Sequence, residues 1–164
     1  GFTGATPLAV IKGGENVDIW AMVIGKTAGT IGETSMVALL IGACFLILTG
    51  VIDLRIPGSY LLSFVIFITA FGGRGIDPSY IVAHLCGGGL MLGAWFMATD
   101  YVTSPMTRRG MVMYGMMIGI ITMIIRLWGA YPEGVSFAIL IMNGFTPLIN
   151  KYMRPRQFGE RKVK

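Results

Sequence analysis

Thr6 carries a hydroxyl group in a stretch that the sequence predicts to be irregular. It lies between Gly4 and Pro7, two residues that favour turns, and only small residues stand directly before it. We therefore expect the hydroxyl to be exposed, so that an external enzyme could attach a group to it through an ester bond. On these residues alone, the other interpretation is a turn before a helix, with Thr3 or Thr6 as its N-cap.

A second polar stretch, residues 29–35, leads into the first long apolar segment. Thr34 or Ser35 would cap the helix that begins there, and the free N–H groups of a helix start favour a negative charge. Such an end could hold a phosphate attached at Thr6 if the two stretches lie on the same side of the protein. An ordinary capped helix start accounts for the same residues equally well.

The rest of the sequence offers little catalytic or metal-binding chemistry. Cys44 and Cys86 are far apart, lack C-x-x-C spacing and fall within apolar segments, so we expect inert thiols. His84 is the single histidine of the chain, and we expect it to be packed and hydrogen-bonded. Arg126 also falls within an apolar segment, where a charge is costly, and we expect it to pair with protein groups or to extend toward water. We therefore predict no catalytic residue and no metal ligand.

Apolar segments must position these residues, and the composition places the chain among integral membrane proteins. Hydrophobic residues make up 54% of the chain, charged residues 13%, and the mean hydropathy is +0.72. Five apolar segments are close to the roughly 20 residues that a membrane-crossing helix needs, and they run over 35–52, 56–72, 80–98, 110–129 and 135–150. We predict an all-α membrane protein of about five transmembrane helices, although the short second and fifth segments could instead be re-entrant. Residues 7–33 contain only short apolar runs and are predicted to be surface or re-entrant segments.

Two pairs of glycines are predicted to be helix-packing sites. Gly89 and Gly93 form one pair, and Gly115 and Gly119 form the other. Both have the Gly-x-x-x-Gly spacing that lets two membrane helices approach closely. We interpret both pairs as structural rather than catalytic.

The basic residues predict how the helices are oriented. An odd number of spans puts the two ends of the chain on opposite sides of the membrane. Nine of the thirteen basic residues lie on the side of the C-terminal tail: Arg55, Arg108, Arg109, Lys151, Arg154, Arg156, Arg161, Lys162 and Lys164. Only Lys12, Lys26 and Arg74 lie on the other side, so the tail is predicted to be cytoplasmic and Thr6 extracytoplasmic. The tail also accounts for the net charge of +5 without a nucleic-acid partner.

Three longer motifs give the chain a resemblance to a known family. They are Thr3–Leu8, which matches a Ser/Thr-Gly-Ala-Thr flavinylation motif followed by Pro-Leu; Ile31–Ser35; and Met97–Gly110. The run Phe137–Asn143 also agrees, whereas Tyr101 stands where the family usually has proline. The chain thus resembles RnfD of the Rnf ferredoxin:NAD+ oxidoreductase and its relative NqrB of the sodium-translocating NADH:quinone reductase. The Thr-Ser-Pro-Met-Thr stretch within the third motif favours the Rnf protein.

The resemblance implies that Thr6 carries FMN through a phosphodiester bond, installed outside the cytoplasm by a flavin transferase. The other predicted cofactor-binding residues surround it or lie in the second polar stretch: Thr3, Gly4, Ala5, Gly32, Glu33 and Thr34. The sequence leaves open whether riboflavin also binds without a covalent bond. Three parts follow: an extracytoplasmic flavin-attachment segment and loop over 1–34, a five-helix transmembrane domain over 35–150, and a basic cytoplasmic tail over 151–164.

The resemblance also implies a two-repeat helical bundle of which this chain is the second half. The Asp of the family motif would fall one position before Gly1, so we expect the chain to be part of a longer protein. The expected partners are the missing N-terminal half, the other membrane and peripheral subunits of the complex, and the lipid bilayer of a bacterial inner membrane.

These expectations define a leading function and two competing ones. The leading interpretation is a flavin-bearing membrane subunit of a redox-driven ion pump, in which electrons pass from ferredoxin to NAD+ with export of Na+ or H+. The sequence does not distinguish the two ions, because no cluster of carboxylates falls within the apolar segments. The competing interpretations are half of a non-redox transporter or channel, whose helices are also interrupted by Gly and Pro, and a structural membrane subunit without a cofactor.

The predicted orientation can be tested by labelling single cysteines in intact cells. In a chain that lacks Cys44 and Cys86, Gly14→Cys should react with a membrane-impermeant thiol reagent added outside. Gly159→Cys should react only after the membrane has been opened. Labelling at residue 159 in intact cells, or labelling at residue 14 only in opened cells, would reverse the orientation.

Overall fold

The computed structural model describes residues 7–12, 18–26, 35–73, 75–87, 89–131 and 133–153. All regular structure in these ranges is helical, as the predicted all-α class requires. The elements are α1 (Pro7–Lys12), α2 (Ile19–Ile24), α3 (Met36–Leu48), α4 (Arg55–Phe71), α5 (Pro78–Cys86), α6 (Leu90–Leu92), a π-helical turn (Gly93–Met97), α7 (Arg108–Trp128) and α8 (Val135–Tyr152). Outside the described ranges lie the tail beyond residue 153 and the predicted site residues Thr3, Gly4, Ala5, Thr6, Gly32, Glu33 and Thr34.

α4 and α7 form the central helix pair of the bundle. Tyr60 and Phe64 of α4 are fully buried in the core that the two helices share. Gly115 and Gly119 of α7 let the two backbones touch. A Cβ atom at Gly115 would lie 2.6 Å from the carbonyl oxygen of Ile56, and one at Gly119 would lie 2.7 Å from that of Tyr60. The packing role predicted for this glycine pair is therefore confirmed.

α8 packs against α7 and against the π-helical turn. The Tyr114 hydroxyl of α7 donates a hydrogen bond to Oδ1 of Asn143, which satisfies a polar residue in the middle of α8. Gly93 lies against the start of α8, where a Cβ atom would overlap the Val135 side chain. The packing role predicted for the pair Gly89 and Gly93 is thus confirmed for Gly93. Gly89 serves the backbone instead, because its φ of 61° lies in the left-handed region that favours glycine.

α3 ends at Leu48, earlier than the predicted end of its segment at residue 52. The reason is a glycine at the end of the helix. Gly50 has a φ of 72°, and its N–H group donates to a carbonyl in the last turn of α3 at 3.0 Å. α3 therefore has 13 residues. Its length of about 20 Å falls short of the roughly 30 Å hydrocarbon layer of a bilayer.

The third predicted segment, 80–98, is a bent pair of helices rather than one continuous helix. α5 ends at Cys86, α6 begins at Leu90, and the two parts are bent by 67° relative to each other. The cause is the sequence Gly87-Gly88-Gly89. Each glycine in a helix interior lowers the stability of the helix by about 1 kcal/mol relative to alanine. The left-handed conformation of Gly89 also interrupts a right-handed helix.

The number of membrane spans stays a prediction. Among the described helices, α7 alone is long and apolar enough to cross a membrane by itself. The bent pair Pro78–Cys86 and Leu90–Met97 would be a second span if it is counted as one. α3 and α4 are shorter apolar helices, and α8 contains Pro147 in its interior. Each of the five predicted segments therefore contains helix, but the structure does not confirm five crossings.

The loops that join the helices lie at the two ends of the bundle. At one end, the Met106 N–H group donates a hydrogen bond to Oδ1 of Asn150 near the end of α8, at 3.1 Å. At the other end, the rings of Phe71 in α4 and Trp128 in α7 meet edge to face with their centroids 6.2 Å apart. The first end carries the loops that are predicted to be cytoplasmic, and the second end carries α5 with α1 and α2.

The glycine contact between α4 and α7 predicts a difference in stability. Gly119→Ala should lower the free energy of unfolding by about 1–3 kcal/mol, the usual range for overpacking. Its methyl group would collide with the Tyr60 carbonyl oxygen. Gly144→Ala in α8 is the matched control, because nothing lies within 4 Å of a Cβ atom there. Unfolding of the detergent-solubilised variants measures both, and equal stability of the two would contradict the contact.

Candidate functional site

α1 and α2 are helices of six residues each, too short to cross a membrane. Pro7 begins α1, where its fixed φ and missing N–H group suit the first helical position. The Asp18 side chain caps α2 by accepting a hydrogen bond from the Trp20 N–H group at 3.1 Å. Gly25 ends α2 with a φ of 94°. The described part of residues 7–33 thus contains only short helices, as the sequence predicts.

α1 and α2 pack on α5 at the point where α5 breaks. Ile11, Met22 and Ala83 form a buried cluster with one residue from each helix. Gly87, which directly follows α5, touches the same two helices. A Cβ atom at Gly87 would lie 3.5 Å from Cδ1 of Leu8 and 3.3 Å from Cε of Met22. The first turn of α1 is therefore seated on the end of α5.

The start of α3 also lies against the end of α5. Ser35 caps α3 by accepting a hydrogen bond from the Ala38 N–H group at 3.4 Å, as the sequence predicts for Thr34 or Ser35. The next residue, Met36, places its Sδ atom 3.0 Å from Sγ of Cys86. Because Cys86 is the last residue of α5, α3 begins beside the break.

Both predicted cofactor-binding stretches therefore have flanking residues at the end of α5. The stretches themselves, Thr3–Thr6 and Gly32–Thr34, lie outside the described residues. Leu8 follows the first stretch closely and Met36 follows the second. These two flanking side chains contact adjacent residues of the chain, at the end of α5 and directly after it. The structure brings together the flanks of segments that are far apart in the sequence.

The Arg126 side chain holds the end of α5 from α7. Its Nη1 and Nη2 atoms donate hydrogen bonds to the carbonyl oxygens of His84 and Gly87 at 2.6 and 2.9 Å. Its guanidinium carbon lies 5.4 Å from the centroid of the Phe64 ring. The end of α5 is the negative end of its helix dipole and has carbonyls without intrahelical partners, so a cation there is stabilised. The predicted pairing of Arg126 is confirmed, and extension toward water was wrong because the residue is only 3% exposed.

The His84 ring is packed, but its predicted hydrogen bonds are not found. The residue is 4% exposed, and its ring meets the Tyr80 ring edge to face with centroids 4.5 Å apart. Neither ring nitrogen has a hydrogen-bond partner among the residues that the structure describes. The contact between His84 and Arg126 is therefore made by the backbone carbonyl rather than by the imidazole.

Leu8, Met36 and Gly87 belong to this site although they are not among the residues predicted for it. Gly87 could have been found, because three consecutive glycines inside an apolar segment mark a probable helix boundary. Leu8 closes the first motif of the family resemblance and Met36 follows a helix cap, but neither pattern indicates a contact with the end of α5. Their role depends on tertiary contacts that periodicity and spacing do not encode.

A cavity of ≈ 820 Å³ opens at the opposite end of the bundle. It lies between the α3–α4 turn and residues 99–106, which belong to the third motif of the family resemblance. Asp53 and Arg55 in the turn form an exposed ion pair, which adds little stability in water. Within the loop, the Thr103 hydroxyl donates a hydrogen bond to Oδ2 of Asp100 at 3.0 Å. The motif therefore forms an ordered loop at the end that is predicted to be cytoplasmic.

Nearly the whole chain is similar to a known protein family. The NQR2, RnfD, RnfE family model matches residues 1–159. The chain belongs to this family. The match includes both predicted cofactor-binding stretches, α5 with its break, and the ordered loop of the third motif. Membership of this family, together with the apolar helices, supports a location in a membrane.

Relatives in this family support the resemblance to RnfD. The chain is 48% identical to the D subunit of the Na(+)-translocating ferredoxin:NAD(+) oxidoreductase complex of Acetobacterium woodii, over 99% of this chain and 51% of the relative. It is 42% identical to the D subunit of the proton-translocating ferredoxin:NAD(+) oxidoreductase complex of Clostridium ljungdahlii, over 98% and 52% of the two chains. It is 38% identical to the D subunit of the ion-translocating oxidoreductase complex of Erwinia tasmaniensis, over 100% and 49%. The predicted resemblance is confirmed, and the chain spans about half the length of these relatives.

The contact between α3 and α5 predicts a specific cross-link. In a chain with Cys44→Ala, Met36→Cys should be joined to the native Cys86 by a short thiol-reactive reagent, because the side chains at these positions meet. Val37→Cys is the matched control, since Val37 is the next residue and is 45% exposed. Peptide mapping by mass spectrometry measures the linked fraction. No link at residue 36, or equal links at residues 36 and 37, would contradict the contact.

Proposed function

We propose that this chain is the flavin-bearing part of an RnfD protein in a redox-driven, ion-translocating membrane complex. Thr6 carries FMN through a phosphodiester bond, and electrons pass from ferredoxin through this flavin and centres in other subunits to NAD+. The names of two relatives specify ferredoxin:NAD(+) oxidoreductase complexes, one translocating Na+ and the other protons. Because the chain is similar to both, the proposal includes ion export but does not choose the ion.

The observation that carries this proposal is the meeting of two flanking segments at the end of α5. Leu8 and Met36 each contact one of two adjacent residues there. Covalent geometry keeps the Cα atom of Thr6 within about 7 Å of that of Leu8, and the Cα atom of Thr34 within about 7 Å of that of Met36. A flavin attached at Thr6 would therefore have the second polar stretch within reach.

The start of α3 would supply favourable electrostatics for the phosphodiester. Ser35 caps the helix, and the first-turn N–H groups would favour a nearby negative charge by about 0.3–1 kcal/mol. Glu33 would repel a phosphate, so we assign it to orienting the loop, to contact with the flavin ring, or to pairing with Lys26. The remaining proposed binding residues are small or hydroxyl-bearing: Thr3, Gly4, Ala5, Gly32 and Thr34.

In this proposal the protein contributes position and electrostatics. Bound FMN supplies one- and two-electron transfer, which no side chain at this site provides. Thr6 keeps the flavin from dissociating, α1 fixes the segment that follows Thr6, and α5 provides the surface on which α1 rests. Leu8 and Gly87 are both buried where α1 meets the end of α5.

The rest of the proposal concerns the membrane and the partners. The five helical segments would cross the inner membrane, with residues 1–34 outside, 35–150 forming the transmembrane domain and the tail 151–164 in the cytoplasm. A first half in the longer protein would complete a two-repeat bundle, and other membrane and peripheral subunits would supply further redox centres. Riboflavin is the candidate for a second, non-covalent flavin.

A second candidate function is half of a non-redox transporter. The break between α5 and α6 favours it, because transporters bind their substrates at broken membrane helices. Flavin fluorescence of the denatured polypeptide on a gel separates the two functions. A chain without covalent flavin that still moves a solute would support the transporter.

Thr6→Ala should abolish the covalent flavin, because it removes the hydroxyl that forms the phosphodiester. In the wild-type protein, produced together with its flavin transferase, peptide mapping should find FMN on the peptide that contains Thr6. Thr6→Ser keeps a hydroxyl in a different shape and should show reduced labelling.

Thr49→Ala is the matched control for this experiment. Thr49 follows α3, and its hydroxyl donates to the Phe45 carbonyl oxygen at 3.0 Å, so its loss should leave flavin attachment unchanged. An FMN adduct that persists in Thr6→Ala would contradict the assignment of Thr6.

A further inference from the structure

We propose that Arg126 is a positioning residue for the flavin-bearing segment. It holds the broken end of α5 and thereby fixes the surface on which α1 and the start of α3 are seated. This inference rests on the proposed function, because it takes the residues before Leu8 to carry the flavin. Arg126 acts through α5 in this account and does not contact the flavin.

Arg126 is itself held in place by the central helix pair. It lies in the last turn of α7, the helix that pairs with α4 at the centre of the bundle. One turn earlier, the Thr122 hydroxyl lies 3.4 Å from the Tyr60 hydroxyl of α4, and both residues are fully buried. The guanidinium also lies over the Phe64 ring of α4. A shift of Arg126 would therefore disturb the central helix pair.

The end of α5 needs stabilising contacts from outside the helix. The helix stops at Cys86, and Gly87 is already extended, with φ −88° and ψ 146°. Arg126 bonds the carbonyl of His84 in the last turn and that of Gly87 just beyond it. The planar guanidinium presents two nitrogens in a fixed geometry to these two acceptors. The single ammonium group of lysine does not match it.

Gly87 connects Arg126 to the segment that precedes Leu8. The carbonyl oxygen of Gly87 accepts a hydrogen bond from Arg126, and Leu8 and Met22 are close neighbours of the same residue, 3.5 and 3.3 Å from where a Cβ atom would stand. A movement of Gly87 would therefore change the surface against which the buried Leu8 side chain packs, two residues after Thr6.

A double-mutant cycle in the assembled complex tests this coupling. The variants are Arg126→Lys, Leu8→Ala and their combination. The readout is the constant for iodide quenching of the covalent flavin's fluorescence. This constant reports how exposed the flavin is, and it does not depend on the fraction of chains that carry flavin. Arg109→Lys is the matched control for Arg126→Lys, because Arg109 is exposed on the same helix. Val10→Ala, at a half-buried position in α1, is the control for Leu8→Ala.

We expect Arg126→Lys and Leu8→Ala each to raise the quenching constant by about twofold or more. A twofold change corresponds to the lower end of the coupling free energies between contacting groups. The combined variant should add little to the larger single effect, because both changes release the same segment. The two controls should match the wild type. A wild-type quenching constant in Arg126→Lys, or single effects that multiply in the combined variant, would overturn the proposal.

A readout without flavin decides the question if Arg126→Lys does not assemble. In membranes of the producing cells, the cross-link between Met36→Cys and Cys86 should fall by about twofold or more in Arg126→Lys. It should be unchanged in Arg109→Lys. An unchanged cross-link in Arg126→Lys would overturn the proposal. If Thr6 of the wild type proves to carry no flavin, the proposed function fails, while the cross-link still shows whether Arg126 holds α5.

Discussion

A buried guanidinium group bonded to two backbone carbonyls is the interaction on which the rest of the structure depends. A charge inside a membrane protein is costly, and so are unpaired carbonyls at the end of a broken helix. Arg126 offsets both costs, because its nitrogens meet the carbonyl oxygens of His84 and Gly87. Each hydrogen bond from a charged group contributes about 1.5–3 kcal/mol. That is enough to stabilise a helix end where glycine stops the helix.

The break has a structural consequence that an unbroken helix would not have. Because α5 ends at Cys86 and the chain bends by 67°, a helix end and a bare glycine backbone become available as a packing surface. Leu8 and Met36 occupy this surface. The two segments proposed to carry and hold the flavin thus both lead into residues that contact the end of α5. In this proposal, the central helix pair sets the position of the flavin-bearing segment, and it does so through Arg126 and α5.

The sequence predicted those parts of the fold that depend on local patterns. Residues 56–72 and 110–129 are predicted as helices, and α4 and α7 run over Arg55–Phe71 and Arg108–Trp128, because charges and turn residues bound both apolar runs. The spacing of Gly115 and Gly119 likewise encodes their packing. The bend after Cys86 was missed because apolar composition continues through the glycine run. The meeting of Leu8 and Met36 at α5 was out of reach, since tertiary contacts alone create it. The assignment of Thr6 comes from a short motif and the family resemblance, and Thr6 itself lies outside the described residues.

A density map of the intact complex in a lipid nanodisc, obtained by cryo-electron microscopy, tests the central claim most directly. The account predicts a break in the helix after Cys86, the Arg126 guanidinium on the carbonyl oxygens of His84 and Gly87, and Leu8 against Gly87. Flavin density should continue from the side chain of Thr6 above this contact. A continuous helix through residues 87–89, or Leu8 seated away from Gly87 with Arg126 bonded elsewhere, would contradict it.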